Sequence, residues 1–407
     1  MFIANGDYSL LQGNYLFSEI AKRTAAFKAN HPRAELIRMG IGDCTRPLVP
    51  AVVDAMHRAV DEMGDIATFR GYGPDFGYDF LREAILNRDY LKRGIRIDVD
   101  EIFVSDGAKC DVANISELFS KDCIVGIVDP VYPVYLDTNV MAGRSGRYDP
   151  KLRGYERIVY LPAVEQNGFV PDLPQVPVDV LYLCYPNNPT GQTLSKEQLK
   201  RFVDWANACG AVIIYDSAYE AYIRSVDIPH SIFEIDGAKT CAIEIRSMSK
   251  TAGFTGTRCS YSVVPRELVR KDSLNNTVSL HDLWARRMST KFNGVSYITQ
   301  VGAAAAYSDE GYAQLTGVVD FYMENARIIR EGMERAGYTV YGGQNAPYVW
   351  IKAPHGDSWR FFNEILEGHH IIGTPGAGFG AAGEGYFRMT AFASRENTLA
   401  AMRRIGG

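Results

Sequence analysis

Val178-Asp179-Val180-Leu181-Tyr182-Leu183 is a short apolar run that ends in the turn Pro186-Asn187-Asn188-Pro189-Thr190-Gly191, and Ala211-Val212-Ile213-Ile214-Tyr215 is a second run that ends at Asp216. Between them lies a legible helix. Ser195, with Gln198 three residues on, has the capping-box pattern. Leu199, Phe202, Val203 and Ala206 mark one apolar face, and Gly210 supplies the stop after the last turn. Strand, helix, strand in that order predicts a parallel pair joined by a crossover. The rhythm continues outward: Ile124-Val125-Gly126-Ile127-Val128 ends in Asp129-Pro130, and Cys241-Ala242-Ile243-Glu244-Ile245 ends just before a Ser-rich loop. Strands alternating with helices predict an α/β fold with a mostly parallel sheet flanked by helices. Ligands of such sheets bind at the carboxyl ends of the strands, and the notable polar residues cluster there.

The two ends of the chain read differently. Residues 1–48 carry one amphipathic helix, around Phe17 to Ala29, and then the link Gly40-Ile41-Gly42-Asp43. From about 295 a long helical stretch runs to Gly337, followed by strand-like Tyr348-Val349-Trp350-Ile351 and Tyr386-Phe387-Arg388-Met389. The expected layout is a large α/β domain over 49–294 and a small α+β domain built from 1–48 and 295–407.

Composition narrows the function classes. The 407 residues are 46% hydrophobic and 22% charged, enough to bury a core without disulfide or metal staples. The 43 Lys and Arg against 48 Asp and Glu leave a net charge of −5 without runs of like charge, which argues against nucleic acid as a partner. The longest apolar stretches are too short to cross a bilayer, and the opening residues lack the basic and apolar regions of an export signal. Seven scattered cysteines without a C-x-x-C pair read as reduced thiols, so a cytoplasmic location is expected. No H-E-x-x-H occurs, and His369-His370 reads as the approach to a strand, so no metal site is expected.

The chemistry concentrates at Ser247-Met248-Ser249-Lys250, with Arg258 eight residues beyond the lysine. Two hydroxyls and a guanidinium around one lysine make a phosphate-sized anion site beside an amine nucleophile. Asp216 ends a strand, Tyr219 follows it by three residues, and Asn188 lies in the Pro/Asn turn. A lysine to bond an aldehyde, an aspartate to hold a pyridinium and a phosphate cradle are what pyridoxal 5′-phosphate requires. Taken singly, S-x-S-K reads as a solvated loop, Asp216 as a helix cap and N-P-x-G as a turn. Order and spacing together carry the assignment.

At this point the chain resembles the fold-type I, class I/II pyridoxal-phosphate aminotransferases. Gly13-Asn14-Tyr15-Leu16-Phe17-Ser18-Glu19-Ile20, Phe69-Arg70-Gly71-Tyr72-Gly73-Pro74, Ser105-Asp106-Gly107-Ala108-Lys109-Cys110 and Asp129-Pro130-Val131-Tyr132-Pro133-Val134-Tyr135 are similar to segments of the LL-diaminopimelate aminotransferase family. So are the segment from Lys250 to Arg258, Lys291-Phe292-Asn293-Gly294 and Gly385-Tyr386-Phe387-Arg388. The resemblance implies a homodimer with pyridoxal phosphate at the subunit interface and an amino acid as substrate. It implies Lys250 as the Schiff-base lysine and proton carrier, Asp216 on the pyridine nitrogen, and Tyr132 stacked on the ring. Asn188 and Tyr219 would hydrogen-bond the ring oxygen. Gly107, Ala108, Lys109, Ser247, Ser249 and Arg258 would hold the phosphate, with Tyr72 reaching it from the partner subunit. Arg388 would clamp the α-carboxylate, and Tyr15, Gly42, Lys109, Tyr132, Asn188 and Asn293 match substrate-contacting positions.

Some positions depart from the family pattern. Ala67 stands for a usual Glu, Asp75-Phe76 for Glu-Gln, Asn14 for Ser, Met248 for Phe and Ala377 for Ser. Loss of a carboxylate at the substrate's distal end leaves an ammonium group unpaired, and Phe76 offers a flat face to a guanidinium. Substitution at tolerant positions is the other reading. The leading expectation is transfer of the amino group of LL-2,6-diaminopimelate to 2-oxoglutarate, a step of lysine biosynthesis. The alternative is elimination and cyclisation, or transamination, of another basic amino acid such as a hydroxylated arginine-like one. A non-catalytic binding protein with the same fold is the third.

Overall fold

Strands β1 (Ile102–Ser105), β2 (Val125–Asp129), β3 (Ile158–Pro162), β4 (Val180–Cys184), β5 (Val212–Asp216), β6 (Ala242–Ser247) and β7 (Ser260–Val263) form the central sheet of the computed structural model, which describes residues 4–12 and 15–406. Their spatial order is β1-β7-β6-β5-β4-β2-β3. Six strands run parallel, and only β7 is antiparallel to its neighbours β1 and β6. Alternate side chains feed separate cores: Leu181, Leu183, Ile213 and Tyr215 enter one, Val180, Tyr182, Val212 and Ile214 the other. Both faces are therefore covered, which is why these strands read as unbroken apolar runs.

The helix that joins β4 to β5 spans Lys196–Cys209. Ser195 accepts from the Gln198 N–H at 3.2 Å, and Gln198 Oε1 accepts from the Ser195 N–H at 2.8 Å. Gly210 then takes a left-handed φ of 77°, and β5 begins two residues later. The reciprocal cap and the glycine stop set the length of the crossover, and with it the height at which Asp216 emerges.

A second sheet combines β8 (Val340–Gly342), β9 (Tyr348–Lys352), β10 (Thr374–Pro375) and β11 (Tyr386–Thr390) in the antiparallel order β8-β9-β11-β10. Val349, Ile351, Phe387 and Met389 pack with Ile329 and Met333 of the helix Asp309–Arg335 in a further core. Ile37–Arg38 pairs in parallel with Ile371–Ile372, which ties the early residues to this unit.

Two expectations change. The stretch after 295 is two helices, Tyr297–Ala306 and Asp309–Arg335, because Ser308 accepts from the Gly311 N–H at 3.0 Å and starts the chain afresh. Gly311 is required there, since a Cβ would come within 2.0 Å of the Ala305 carbonyl. His369 ends the helix Ser358–His369 rather than approaching a strand in extended form, and His370 turns left-handed at φ 58°. No helix among the described residues is long and apolar enough to cross a membrane.

Candidate active site

Asp216 and Ser247 leave the sheet at the same edge, on the adjacent strands β5 and β6. The buried Asp216 carboxylate accepts from the Tyr135 hydroxyl at 2.8 Å and from the Ala218 N–H at 3.1 Å. Burial outweighs those donors and pushes the acid up to about 6. Beyond β6, Ser247 accepts from the Ser249 N–H at 3.1 Å and caps the single turn Met248–Thr251 that carries Lys250. The Lys250 ammonium donates to the Gly42 carbonyl, and the Lys250 carbonyl accepts from the Tyr222 hydroxyl at 2.7 Å. Burial lowers the lysine below its ordinary value, with Cys44 and Asp43 opposing. That shift favours the neutral amine, the nucleophilic form.

An anion cradle lies beside them. Arg258 donates through Nη1 to the Ser249 hydroxyl at 3.2 Å. Its Nη2 occupies the space over Gly107, where a Cβ would come within 1.8 Å, and Gly107 sits at φ 146°, open to glycine alone. The helix Ala108–Ile115 starts there. Its first internal bonds run from Cys110 and Asp111 back to the Gly107 carbonyl, so the N–H groups of Ala108 and Lys109 stay outside the helical ladder.

Arg388 stands on β11, 3% exposed. Nη1 donates to Asn188 Oδ1 at 2.6 Å and Nη2 to the Gly40 carbonyl at 2.8 Å, and the rings of Tyr348 and Phe379 each lie 4.7 Å from the guanidinium carbon. Nε has no hydrogen-bond partner among the described residues. A buried guanidinium held by neutral groups alone suits a carboxylate ligand. Arg388, Lys250, Asp216, Arg258, Tyr132 and Tyr219 all line one cavity of about 450 Å³.

Residues 34–405 match the family model for aminotransferase class I and II. The LL-diaminopimelate aminotransferase of Agathobacter rectalis is 57% identical over 406 residues, covering 100% of this chain and 99% of the relative. The chain belongs to the LL-diaminopimelate aminotransferase family. A second family member, from Methanosphaera stadtmanae, is 57% identical and covers 98% of each chain. The solved LL-diaminopimelate aminotransferase of Chlamydomonas reinhardtii superposes with a TM-score of 0.92 at 42% identity, covering 99% of this chain and 98% of its own.

Pyridoxal 5′-phosphate is the cofactor of this aminotransferase, and the cavity fits it. The glycine-floored cradle at Arg258 matches a phosphate, buried Asp216 matches a protonated ring nitrogen, and Lys250 presents an amine to the same cavity.

Of the residues singled out in the aminotransferase sequence, Gly42, Ala108, Lys109, Tyr132, Asn188, Ser247 and Ser249 line the cavity with those above, while Gly107 floors the cradle. Tyr72 and Asn293 do not line it. Both are exposed, Tyr72 at 91%, and their loops adjoin, since a Cβ on Gly294 would meet the Pro74 carbonyl at 2.9 Å. The Tyr15 side chain, like residues 13 and 14, lies outside the described residues. Phe76 is half-buried, its ring edge-on to Phe103 at 5.1 Å, and like Tyr72 it lines no part of this chain's own cavity. Ala67 and Ala377 are likewise not cavity residues. Tyr135, Tyr348 and Phe379 were missed. Tyr135 follows Tyr132 by three residues, in the helix Val134–Met141, but the Asp216 carboxylate it donates to lies 81 residues away, so no local spacing signals it. Tyr348 and Phe379 carry no motif, because only chain folding brings them to Arg388.

Proposed function

We propose that the chain transfers the amino group of LL-2,6-diaminopimelate to 2-oxoglutarate, giving glutamate and an amino-oxo acid that closes to tetrahydrodipicolinate. One observation carries the reaction class: the buried Arg388, without a carboxylate partner among the described residues, shares a cavity with the Lys250 amine and Asp216. The choice of donor follows the named activity of the full-length relatives.

Bound in the cavity, pyridoxal 5′-phosphate supplies an aldehyde for Lys250 and a ring that accepts electrons when a bond at the substrate Cα breaks. Arg388 binds the α-carboxylate through its fork and sets the direction of the Cα–H bond. Lys250 Nζ would take that proton and redeliver it. Asp216 would hold a protonated ring nitrogen, and Tyr132 would offer its ring to the cofactor. Asn188 and Tyr219 orient the ring oxygen, and the Tyr348 hydroxyl, 2.7 Å from that of Tyr219, fixes the latter. Gly107, Ala108, Lys109, Ser247, Ser249 and Arg258 would hold the phosphate, with the partner's Tyr72 completing the cradle. Tyr15, Gly42 and Asn293 complete the substrate contacts.

The proposed assembly is a homodimer. Ile66 at 96% exposure, Phe69 and Tyr72 form an apolar stretch open to solvent, which supports a second copy covering it. The proposed compartment is the cytoplasm, supported by seven cysteines without a disulfide. The proposed domain division, 1–48 with 295–407 against 49–294, draws support from the pairing of Ile37–Arg38 with Ile371–Ile372, whereas Val295, Ala303 and Ala306 pack with the large core.

The test supplies purified enzyme with LL-diaminopimelate and then 2-oxoglutarate. The visible cofactor absorbance falls with the first and returns with the second, and glutamate accumulates. An unmoved band and no glutamate would end the proposal.

A further inference from the structure

Behind the cofactor loop lies a second cavity of about 350 Å³, and Ser247 lines both this cavity and the first. Its charged groups are largely paired with one another, Arg246 Nε alone of that guanidinium lacking a hydrogen bond among the described residues. Arg246 Nη1 lies 3.1 Å from Glu220 Oε1, and the two side chains are 3% and 14% exposed. Glu220 Oε2 meets His230 Nδ1 at 2.8 Å and Arg93 at 3.8 Å. Arg246 also donates to the His230 carbonyl at 2.9 Å and lies 3.4 Å from the Glu244 carboxylate. Glu244 in turn accepts from the Tyr90 hydroxyl at 2.6 Å, and Asp89 accepts from Tyr261 and Tyr307 at 2.6 and 2.9 Å. Such mutual pairing calls for no ligand.

The places of the pair in the chain are informative. Arg246 directly precedes Ser247, and Glu220 directly follows Tyr219. The ladder between β5 and β6 ends at Asp216 and Ile245, with one more bond from the Ser217 N–H to the Ile245 carbonyl at 3.0 Å. Past that point the backbone no longer sets the distance between the turn carrying Asp216 and Tyr219 and the turn carrying Ser247, Ser249 and Lys250. Two side-chain links span the gap: the Arg246–Glu220 pair and the Tyr222 hydroxyl on the Lys250 carbonyl. A buried ion pair adds little stability over apolar residues of the same shape, whereas its directionality fixes geometry.

We propose that the Arg246–Glu220 ion pair, with His230 as its third member, is a positioning device that sets the cofactor lysine relative to the aspartate and tyrosine facing it. This rests on the reading of Lys250, Asp216 and Tyr219 as the cofactor-holding groups. Burial pushes the Glu220 carboxyl up, but Arg246 and His230 outweigh it and keep the acid below the usual carboxylate range, so the pair is ionised at working pH.

Glu220→Gln keeps the shape and removes the charge. In the holoenzyme it shifts the pH midpoint of the visible cofactor absorbance by half a unit or more. It weakens pyridoxal phosphate affinity at least tenfold, read by equilibrium binding to the apoprotein, and lowers kcat at least tenfold with the KM of the amino donor within twofold. Arg246→Met combined with Glu220→Gln does no more than either change alone, because the pair acts as one unit. His230→Gln, at a half-buried position, shifts the same quantities in the same direction about threefold, and decides the matter if Glu220→Gln does not fold. Folded variants that melt earlier yet keep the wild-type midpoint, affinity and kcat would overturn the proposal and leave the pair a structural one. Lys250→Ala serves as the control: if it retained the lysine-bound absorbance, the reading of the site would fall, and the positioning role with it.

Discussion

Arg388 Nη1 donates to the side-chain oxygen of Asn188 at 2.6 Å, joining two residues 200 positions apart and two different sheets. Asn188 belongs to the turn after β4 and Arg388 to the middle of β11. With Gly40 on the second nitrogen, the guanidinium plane is set before any ligand arrives. Arg388→Lys removes that plane while keeping the charge. We expect kcat/KM to fall about a hundredfold for the amino donor, roughly 3 kcal/mol of lost carboxylate recognition. A decarboxylated amine, which never used the fork, should lose less than threefold. An equal loss for both substrates would contradict the assignment.

Asp216 makes the apoprotein less stable than it needs to be. Its acid is pushed from 3.8 to about 6 by burial. Between those values the folded chain keeps a proton that the unfolded chain has given up, so stability falls as pH rises from about 4 to 6 and the cost is complete above 6, at about 3 kcal/mol. Apoprotein carrying Asp216→Asn should therefore melt above wild type at pH 7.5, with the gap closing toward pH 4.5, while activity drops at least a hundredfold. Thermal denaturation of both apoproteins at the two pH values decides it, and equal melting at pH 7.5 is the contrary result.

Gly107→Ala tests the cradle. The added Cβ displaces Arg258 and the left-handed φ of 146° is strained for alanine. Pyridoxal phosphate affinity should drop at least tenfold with the far-UV circular dichroism unchanged. Undiminished affinity would remove Arg258 from the phosphate site.

The dimer can be tested without a crystal. Tyr72 is exposed and lines no part of its own chain's cavity. Tyr72→Ala and Lys250→Ala are each expected to be nearly inactive. Mixed after unfolding and refolding, they should regain activity, because a hybrid dimer pairs an intact lysine with the other chain's intact tyrosine. Failure to regain any would place the tyrosine elsewhere.

Most of the large sheet was legible because its strands are buried on both faces and each ends in a polar turn. Asp216, Lys250 and Arg258 were legible because strand-end chemistry lies close together in sequence. β7 was not: Ser260 and Ser262 break its apolar run, and the strand survives because Ser262 accepts from the Trp284 indole at 3.0 Å and Ser260 joins Ser105 at 2.6 Å. The break at Ser308 was hidden by apolar spacing that continues on both sides of it. Tyr348 and Phe379 were invisible for another reason, since their contact with Arg388 exists only once β9 and β11, far apart in sequence, pair within the second sheet.

The link 40–43 meets the site through its main chain. Gly40 accepts from Arg388 and from the Thr374 hydroxyl, Ile41 from Thr390, and Gly42 from Lys250. Carbonyls are common to all twenty amino acids, so the two most important cations of the site are steadied by contacts that no point substitution at Ile41 or Asp43 deletes. Both side chains nevertheless line the cavity. A lineage, or an engineer, can therefore vary Ile41 to change which amino acid is accepted without disturbing the machinery that reacts with it, whereas a change at Asp43 also removes a charge that acts on Lys250.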